Sequence, residues 1–415
     1  MSEQEPTVPP TPAGANGSPE PSAPLIVAVG PTEATGQPGG PPEDARLRGI
    51  SKSILIGVGG TGVNIVLDVR RRLLHKYGSL DRIPIVDFLV IDTDQAVLAK
   101  NVNFEDAANL DASDKVHASV HGVDTLRTKL NDYPHLRSWL DPRALTGDIH
   151  QGAGAVRARG RLAYFWNYST IARKVEEMYH QVTRSDSISH AVNAGLRVGD
   201  GVTVYIVGSL LGGTGSGMFL DLAYTVRDKL GRQPLLDLVG IFTIPPNSEA
   251  VAVDNRPNAY AALLELNHYT DSATVFEAQY GPSLPPLQDA RPPFNYTYLV
   301  DMSNPQIQLN SVDELTEMIG LSIFLDLTSE FQRQKKSNRD NFNQYLITPD
   351  KLGCPQNYLS MGLAAIHFPK EKVLAACANR LARNIVTGWM TPIDRAVSIP
   401  QFTQQEIDRL GLGIE

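Results

Sequence analysis

The residues of this chain best suited to chemistry form the glycine- and hydroxyl-rich segment Leu210-Leu211-Gly212-Gly213-Thr214-Gly215-Ser216-Gly217. The segment directly follows the apolar run 202–207 and precedes a helical pattern over 218–230. Glycines let a backbone approach an anion closely, and the N–H groups at a helix start point towards it. Thr214 and Ser216 add hydroxyl donors. The segment therefore predicts a phosphate-binding turn; the alternative is a turn whose glycines only permit tight packing.

Two other segments have the same character. Gly57-Val58-Gly59-Gly60-Thr61-Gly62 fits the GxGxxG pattern of dinucleotide-binding turns. Gly152-Ala153-Gly154-Ala155, followed by Gly160-Arg161, is a further tight turn that enters a helix. A dinucleotide fold needs one such turn and an acidic residue about 20 positions later, whereas Asp92 lies 30 positions after Gly62. The chain also lacks GxxxxGK[ST], so a Walker-type nucleoside triphosphatase is not supported.

These turns must be positioned by an alternation of strands and helices. We expect apolar strands over 53–58, 85–91, 202–207, 235–244 and 294–300. Between them we expect one helix that follows the first strand and ends at residue 74, and further helices over 95–100, 218–230 and 258–269. This pattern predicts an α/β fold with a parallel sheet covered on both faces, and such sheets bind ligands at the carboxyl ends of their strands. Asp92-Thr93-Asp94-Gln95 ends one strand, where its carboxylates suit either a ligand contact or a helix cap.

The chain divides into four predicted regions. Residues 1–49 form a Pro/Gly-rich tail that cannot bury enough apolar surface to order itself. Residues 50–311 form the ligand-binding domain, with 276–293 expected to be an inserted surface loop. Residues 312–337 are predicted to form a long central helix that is apolar around most of its circumference. Residues 338–415 are predicted to begin a second α+β domain, with a strand over 359–366 and a helix over 371–386. About 75 residues after the central helix are few for a domain, so we expect this one to be partial.

Composition excludes several classes of protein. The net charge of −8 argues against nucleic acid as a partner. Cys354 and Cys377 have no motif spacing, and the nine histidines do not cluster, so no disulfide framework or metal site is predicted. No apolar run approaches the ~18 residues of a membrane helix, so no membrane insertion is predicted. Without a signal-peptide pattern, the expected location is cytoplasmic.

The glycine segments together resemble those of the tubulin and FtsZ superfamily. Gly212–Gly217 is similar to the signature GGGTG[ST]G, with Leu211 at the place of the first glycine. Residues 56–64, 88–96 and 152–161 resemble the first loop, the next strand and loop, and the GAGA…GR loop of that family. The resemblance implies a Rossmann-like tubulin/FtsZ GTPase domain that binds GTP or GDP with Mg²⁺. The nucleotide contacts implied at these segments are Gly59, Gly60, Thr61, Gly62, Asn64, Asp92, Asp94, Gly152, Ala153, Gly154, Ala155, Arg161, Gly212, Gly213, Thr214, Gly215, Ser216 and Gly217.

The resemblance extends to a base-contacting helix, and the sequence departs from the family within the 152–161 loop. Residues 254–260 resemble the segment that opens this helix, which implies that Asn258 reads the base, with Asn255 as its competitor and Tyr260 as a stacking ring. An ordinary helix start with Pro257 in its first turn is the alternative. The departure is that residues 157–159 (Arg-Ala-Arg) replace a segment that carries a ribose-contacting glutamate in the family; the added arginines could neutralise phosphate charge.

The resemblance also implies a mechanism. Residues 338–343 resemble the catalytic loop NxDxxD/E, with Asn338 and Asp340 retained and Asn343 replacing the final acid. In this family one subunit holds the nucleotide and the next subunit of a head-to-tail filament supplies this loop, so we expect a slow GTPase that polymerises with itself. One alternative is a nucleotide-binding scaffold with little hydrolysis, whose N-terminal tail links it to partner proteins. A dinucleotide-dependent oxidoreductase is the other, but it would need a second catalytic constellation, which the sequence does not offer.

Overall fold

A computed structural model describes residues 49–101, 106–233, 236–245, 255–271, 273–303, 308–329, 358–362, 370–390 and 399–410. The chain divides into two units, Met1–Met361 and Gly362–Glu415. The strands of the first unit are β1 (Ile50–Val58), β2 (Val86–Asp92), β3 (Lys115–His117), β4 (Val198–Ser209), β5 (Leu236–Thr243), β6 (Phe276–Ala278), β7 (Leu287–Asp289), β8 (Tyr296–Val300) and β9 (Tyr358–Leu359). Its helices are α1 (Gly59–Tyr77), α2 (Gln95–Leu98), α3 (Val123–Thr128), α4 (Pro134–Arg137), α5 (Arg157–Thr183), α6 (Ser185–Asn193), α7 (Gly213–Leu230), α8 (Arg256–Thr270) and α9 (Val312–Thr328).

Seven of these strands form one sheet in the order β3-β2-β1-β4-β5-β8-β9, and every adjacent pair is parallel. In chain order, β1 lies inside the sheet, β2 and β3 are added on one side of it, and β4 is then added on the other side of β1. In a sheet of this kind, the reversal of strand order opens a crevice at the carboxyl ends of the two central strands. The predicted α/β fold with a parallel sheet is confirmed, and β1 and β4 lie at its switch point.

The sheet is covered on both faces, which explains why its strands read as continuous apolar runs. Along β1, Ile54 and Ile56 pack into a core that includes residues of α5 and α7. The intervening Leu55 packs into a second core with residues of α1 and α9. Because successive strand side chains point to opposite faces, a strand between two helical layers needs apolar residues at every position.

The segment 276–293, for which its prolines and polar residues predict a surface loop, contains two short strands. Strands β6 and β7 pair antiparallel there, and Phe276 and Tyr280 are buried. The Tyr280 ring stacks on Tyr168 of α5 at 4.1 Å, while its hydroxyl donates to Asp221 of α7 at 2.9 Å. Aromatic side chains that pack on two helices hold this segment against the domain. The prediction of a surface loop is therefore wrong for β6 and β7, whereas residues 282–286 between them are exposed and not in a strand, as predicted.

Helix α9 begins where the sequence predicts the central helix. The hydroxyl of Ser311 accepts from the N–H of Glu314, and the Glu314 carboxylate accepts from the N–H of Asn310, so both side chains serve N–H groups at the helix start. Along its length α9 packs against α1, where the Lys76 ammonium donates to the Thr328 carbonyl at 2.9 Å. Residues 330–337 of the predicted helix lie outside the described residues.

The second unit contributes two described helices, α10 (Lys370–Met390) and α11 (Ile399–Leu410). Helix α10 includes the predicted helix 371–386, whereas residues 363–366 of the predicted strand 359–366 lie outside the described residues. None of the helices that the structure describes is both long enough and apolar enough to cross a membrane.

Candidate functional site

The glycine segments converge on one cavity of about 930 Å³ at the carboxyl ends of β1, β2, β4 and β5. The first segment contributes Gly59, Gly60 and Thr61, and the end of β2 contributes Asp92 and Asp94. The other sequence-predicted residues that line the cavity are Gly152, Ala153, Gly154, Ala155, Gly212, Gly213, Thr214 and Gly215. Segments that are far apart in the sequence therefore meet at the switch point of the sheet, where such folds bind ligands.

Helices α1 and α7 start side by side at this cavity. Helix α1 begins at Gly59 and α7 begins at Gly213, rather than at residue 218 as the sequence pattern predicts. The two helix starts are adjacent: a Cβ placed on Gly59 would lie only 3.4 Å from the backbone nitrogen of Gly215. The first N–H groups of a helix have no acceptor within the helix, and the helix dipole favours negative charge at this end. Two adjacent helix starts in one cavity therefore favour negative charge in a ligand there.

The glycines of the α7 turn do not all serve the same purpose. A Cβ on Gly213 would lie 2.7 Å from the Val156 nitrogen and 3.0 Å from the Ala153 Cβ, so this glycine lets the 152–156 turn pack on the helix. A Cβ on Gly215 would lie 2.6 Å from the Ser209 carbonyl oxygen. A Cβ on Gly212 would meet no atom beyond its chain neighbours within 4 Å. Close backbone packing explains Gly213 and Gly215, whereas Gly212 lines the cavity without such a constraint.

Hydroxyl and carbonyl groups connect the end of β2 to the other turns. The hydroxyls of Thr93 and Thr214 lie 2.7 Å apart, and both side chains are buried. The Thr93 carbonyl accepts from the N–H of Gly152 at 3.1 Å and lies 3.3 Å from Nε2 of His117. Thr93 thus ties β2 to α7 and to the 152–155 turn.

The two aspartates at the end of β2 have different local roles. The carboxylate of Asp94 accepts from the N–H of Ala96 at 2.9 Å and caps α2, so the helix-cap interpretation is confirmed for this residue. The carboxylate of Asp92 is buried, which raises its pKa, while hydrogen bonds from the backbone N–H groups of Asp94 and Thr93 oppose the rise. Because both residues line the cavity, a cation or a hydroxyl donor can meet these carboxylates there.

Several sequence-predicted residues do not line this cavity: Gly62, Asn64, Arg161, Ser216, Gly217, Asn255, Asn258 and Tyr260. The Asn64 side chain accepts from Lys100, and the Ser216 hydroxyl donates to the Gly212 carbonyl. A Cβ on Gly62 would lie 2.6 Å from the Val207 carbonyl oxygen, so this glycine allows α1 to pack against the sheet.

The arginines near the start of α5 also face elsewhere. The Arg161 guanidinium pairs with the buried Asp221 carboxylate at 3.0 Å and lies over the Trp139 ring. Burial by itself lowers the Arg161 pKa, but the attraction and hydrogen bond of the Asp221 carboxylate outweigh it, so the Arg161 pKa is raised. Arg159 donates to the carbonyls of Thr146 and Asp148. Arg157, the other added arginine, donates to the Glu265 carboxylate and the Ser216 carbonyl. None of the three arginines lines the cavity, so the structure shows no contact by which the added arginines Arg157 and Arg159 would neutralise a ligand there.

The sequence reasoning missed one whole side of the cavity. Thr243 and Ile244 contribute from the end of β5, and the start of α9 with its preceding segment contributes the rest: Met302, Ser303, Gln308, Leu309, Asn310, Ser311, Val312 and Leu315. Thr243 and Ile244 end the predicted strand 235–244, and Ser311 with Glu314 forms a helix-start signature. These signals predict elements, but they do not indicate that the elements face the glycine turns.

Comparisons with known proteins identify the family to which this chain belongs. The model of a family described as tubulin-like matches residues 54–387, most of the chain. The chain belongs to this tubulin-like family. Solved structures that resemble this chain include CetZ from Methanosaeta thermophila strain DSM 6194, at 16% identity and a TM-score of 0.38, covering 72% of this chain and 59% of that one. No curated protein matches the sequence significantly.

Two other solved structures resemble this tubulin-like protein to a similar degree. CetZ2 from Haloferax volcanii, described as a GTPγS-bound protofilament, has 15% identity and a TM-score of 0.37, with 66% of this chain and 59% of that one covered. TubZ of Clostridium botulinum phage c-st has 14% identity and a TM-score of 0.35, with coverages of 66% and 61%. This chain therefore spans about 60% of the length of the solved structures it matches.

The catalytic loop predicted for this tubulin-like protein cannot be placed against the cavity. Asn338, Asp340 and Asn343 lie outside the described residues, as does the segment 246–254 that precedes α8. The roles of these three residues remain predictions from the sequence.

Proposed function

We propose that this tubulin-like protein binds a guanine nucleotide, GTP or GDP, in the cavity at the switch point of its sheet. The observation that carries this proposal is the convergence of the glycine segments 59–61, 152–155 and 212–215 on one cavity where α1 and α7 both start. Backbone N–H groups at two adjacent helix starts suit a chain of phosphates better than a single anion. A volume of about 930 Å³ also leaves room for a nucleoside beside the phosphates.

The lining of the cavity supports a division into a phosphate end and a base end. The glycine turns offer mostly backbone groups, whereas the side that α9 contributes offers the apolar side chains of Met302, Leu309, Val312 and Leu315. A purine ring has apolar faces and a polar edge, so it fits among such side chains beside a few polar groups. We therefore assign the base to the start of α9, where Asn310 lines the cavity. Its amide nitrogen donates to the Glu314 carboxylate at 3.2 Å, so its amide oxygen is the group we assign to the donors on the base edge.

The residues present fit a nucleotide-bound Mg²⁺ ion. Magnesium prefers oxygen ligands and keeps several waters, and nucleotide phosphates supply part of its coordination. Among the described residues no group of three or more His, Cys, Asp or Glu side chains is placed to hold a metal ion, so the phosphates would have to contribute. Asp92 and Asp94 are the carboxylates that line the cavity, and they would hold the ion through its waters or directly. When bound, the ion offsets the charge of the phosphates.

Hydrolysis and filament formation follow from the family resemblance. In that arrangement a second copy of the chain supplies residues 338–343 to the nucleotide of the first, and a head-to-tail contact that does not close produces a filament. Asp340 would orient or deprotonate the attacking water. Asn343 can orient water but cannot accept its proton, so turnover should be slow.

A nucleotide-stabilised scaffold is the second candidate. The amide at Asn343 favours it, because it removes an acid from the predicted catalytic loop. In this case the nucleotide would stabilise the fold, and the tail 1–49 would bind partner proteins.

Identification of the bound nucleotide tests the main proposal. The purified protein is denatured, and the released small molecules are separated and quantified; titration calorimetry with GTP, GDP, ATP and NAD follows on nucleotide-free protein. We expect guanine nucleotide in the extract and preferential binding of GTP and GDP. Release of an adenine dinucleotide, or equal affinity for GTP and ATP, would contradict the assignment. GTP binding without measurable phosphate release at any protein concentration would favour the scaffold.

A further inference from the structure

Helix α8 contacts two of the cavity's turns without lining the cavity itself. The Asn258 side chain, in the first turn of α8, donates from Nδ2 to the Ala155 carbonyl at 2.7 Å and to the Leu211 carbonyl at 3.0 Å. Ala155 belongs to the 152–155 turn, and Leu211 directly precedes Gly212 at the start of α7. One amide group therefore joins the two turns that form the phosphate end of the cavity.

The conformation of Ala155 shows why such a connection is needed. Its φ of 57° is the only positive φ at a non-glycine residue among the described residues. An L-residue with a Cβ rarely adopts this left-handed conformation, so surrounding contacts must hold it in place. The hydrogen bond from Asn258 fixes the carbonyl of this strained residue.

A second contact ties the same face of α8 to α7. Glu265 lies seven residues after Asn258, which places both side chains on one side of the helix. Its carboxylate accepts from Arg157 at 3.0 Å, and the Arg157 guanidinium also donates to the Ser216 carbonyl in the first turn of α7 at 3.0 Å. Tyr260, in contrast, is 67% exposed, so its ring does not take part in this contact.

We propose that α8 is a brace for the phosphate end of the cavity, and that Asn258 is a positioning residue that sets the spacing between the 152–155 and 211–215 turns. The proposal rests on the proposed function, because it assigns Asn258 to the same nucleotide site. It replaces base reading as the role of Asn258. The brace acts on the phosphates, so it should affect every nucleotide equally.

The test replaces the donor amide by an isosteric acceptor. In Asn258→Asp a carboxylate oxygen would face two carbonyl oxygens, so the two turns should separate. Asn167→Asp is a matched control, since the Asn167 amide also bridges two carbonyls, those of Ser119 and Ala163, at 3.0 and 2.9 Å, and Asn167 does not line the cavity. Affinities are measured for GTP, ITP, XTP and tripolyphosphate, together with the melting temperature of each variant.

We expect Asn258→Asp to weaken all four ligands by a similar factor of about ten or more, since two hydrogen bonds are lost and two carbonyls are left facing a charge. Asn167→Asp should lower the melting temperature to a similar extent but retain the affinities. A change in the ratio of GTP to XTP or ITP affinity, with tripolyphosphate binding unchanged, would overturn the brace and restore base reading. Equal affinity losses in both variants would also overturn it, because the effect would then be general destabilisation.

Hydrogen exchange of the ligand-free protein separates failure of the brace from failure of the proposed function. If α8 braces the turns, Asn258→Asp should speed amide exchange in residues 152–156 and 211–215, whereas Asn167→Asp should speed it around residue 119 instead. This result is expected even if wild-type protein binds no nucleotide, an outcome that would count against the proposed function alone. Unchanged exchange in both turns of Asn258→Asp would overturn the brace regardless of nucleotide binding.

Discussion

Substitution of two neighbouring glycines by valine should affect different properties, fold stability at Gly213 and ligand binding at Gly212. Gly213→Val places a Cβ 2.7 Å from the Val156 nitrogen and 3.0 Å from the Ala153 Cβ, so the 152–156 turn would have to move. Overpacking of this kind costs about 1–3 kcal/mol or more, and a contact with backbone belongs at the upper end. For a domain of this size each kcal/mol lowers the melting temperature by roughly 2–4 °C, which predicts a loss of about 6–12 °C for Gly213→Val.

Gly212→Val should leave the fold intact and block the ligand. Gly212 has φ −79° and ψ 165°, an extended conformation that valine adopts readily, and its Cβ would meet no atom beyond its chain neighbours within 4 Å. We expect the melting temperature to change by no more than about 2 °C, since a substitution without clashes usually costs about 0.5 kcal/mol. Because Gly212 lines the cavity, its new side chain should weaken GTP binding by about tenfold or more, or ~1.4 kcal/mol.

The assay combines thermal unfolding with equilibrium binding of a fluorescent GTP analogue. Gly60→Val in α1 offers a second comparison at the cavity, because a Cβ there would meet only the Val97 side chain, at 3.7 Å or more. Normal affinity in a stable Gly212→Val variant would refute the assignment of this turn to phosphate. An unchanged melting temperature in Gly213→Val would refute the packing argument.

Three further predictions concern catalysis, the tail and pH. If a neighbouring subunit supplies the predicted catalytic loop, GTP turnover per molecule should rise with protein concentration. Asp340→Ala should lower turnover while GTP binding is retained, and Asn343→Asp should raise turnover. Turnover that responds neither to concentration nor to these two substitutions would contradict the shared site. Removal of residues 1–49 should change the melting temperature very little, because their composition offers little apolar surface to bury, and a large drop would show that the tail docks on the folded part. Burial raises the pKa of Asp87 to about 6, so between about pH 4 and 6 the folded state binds more protons than the unfolded chain. The free energy of unfolding therefore falls as the pH rises through this range, and the full cost of burying the ionised carboxylate is reached above pH 6. Asp87→Asn keeps the acceptor for the N–H of Phe88, so it should raise stability at pH 8 by at most about 3 kcal/mol and much less at pH 4.5; equal gains in melting temperature at both pH values would contradict this reasoning.

The sequence by itself predicted the strands β1, β2, β4, β5 and β8, several of the helices, and the glycine turns, but it did not predict the short strands β3, β6 and β7 or the helices α3, α4 and α6. Such signals act over a few residues: an apolar run such as 53–58 is typical of a strand buried on both faces, and a glycine turn after it begins a helix. Because carboxyl ends of parallel strands lie at one edge, the sequence also predicted that the turns at 59–62, 152–155 and 212–217 approach one another. The structure brings most of these residues to the cavity.

Only the tertiary structure decided which residues face the cavity and which support it. Asn258 is 103 positions from Ala155 and Arg161 is 60 positions from Asp221, so no local pattern could reveal either pairing. The start of α9 likewise reaches the cavity because β8 and α9 pack beside β5 and α1, and its residues carry no glycine signature of their own. The same limit applies to Gly212 and Gly213, which are identical in the sequence but differ in function because the 152–156 turn packs against only one of them. Local propensity determines what a segment becomes, whereas contacts between distant segments depend on how the finished helices and sheet pack together.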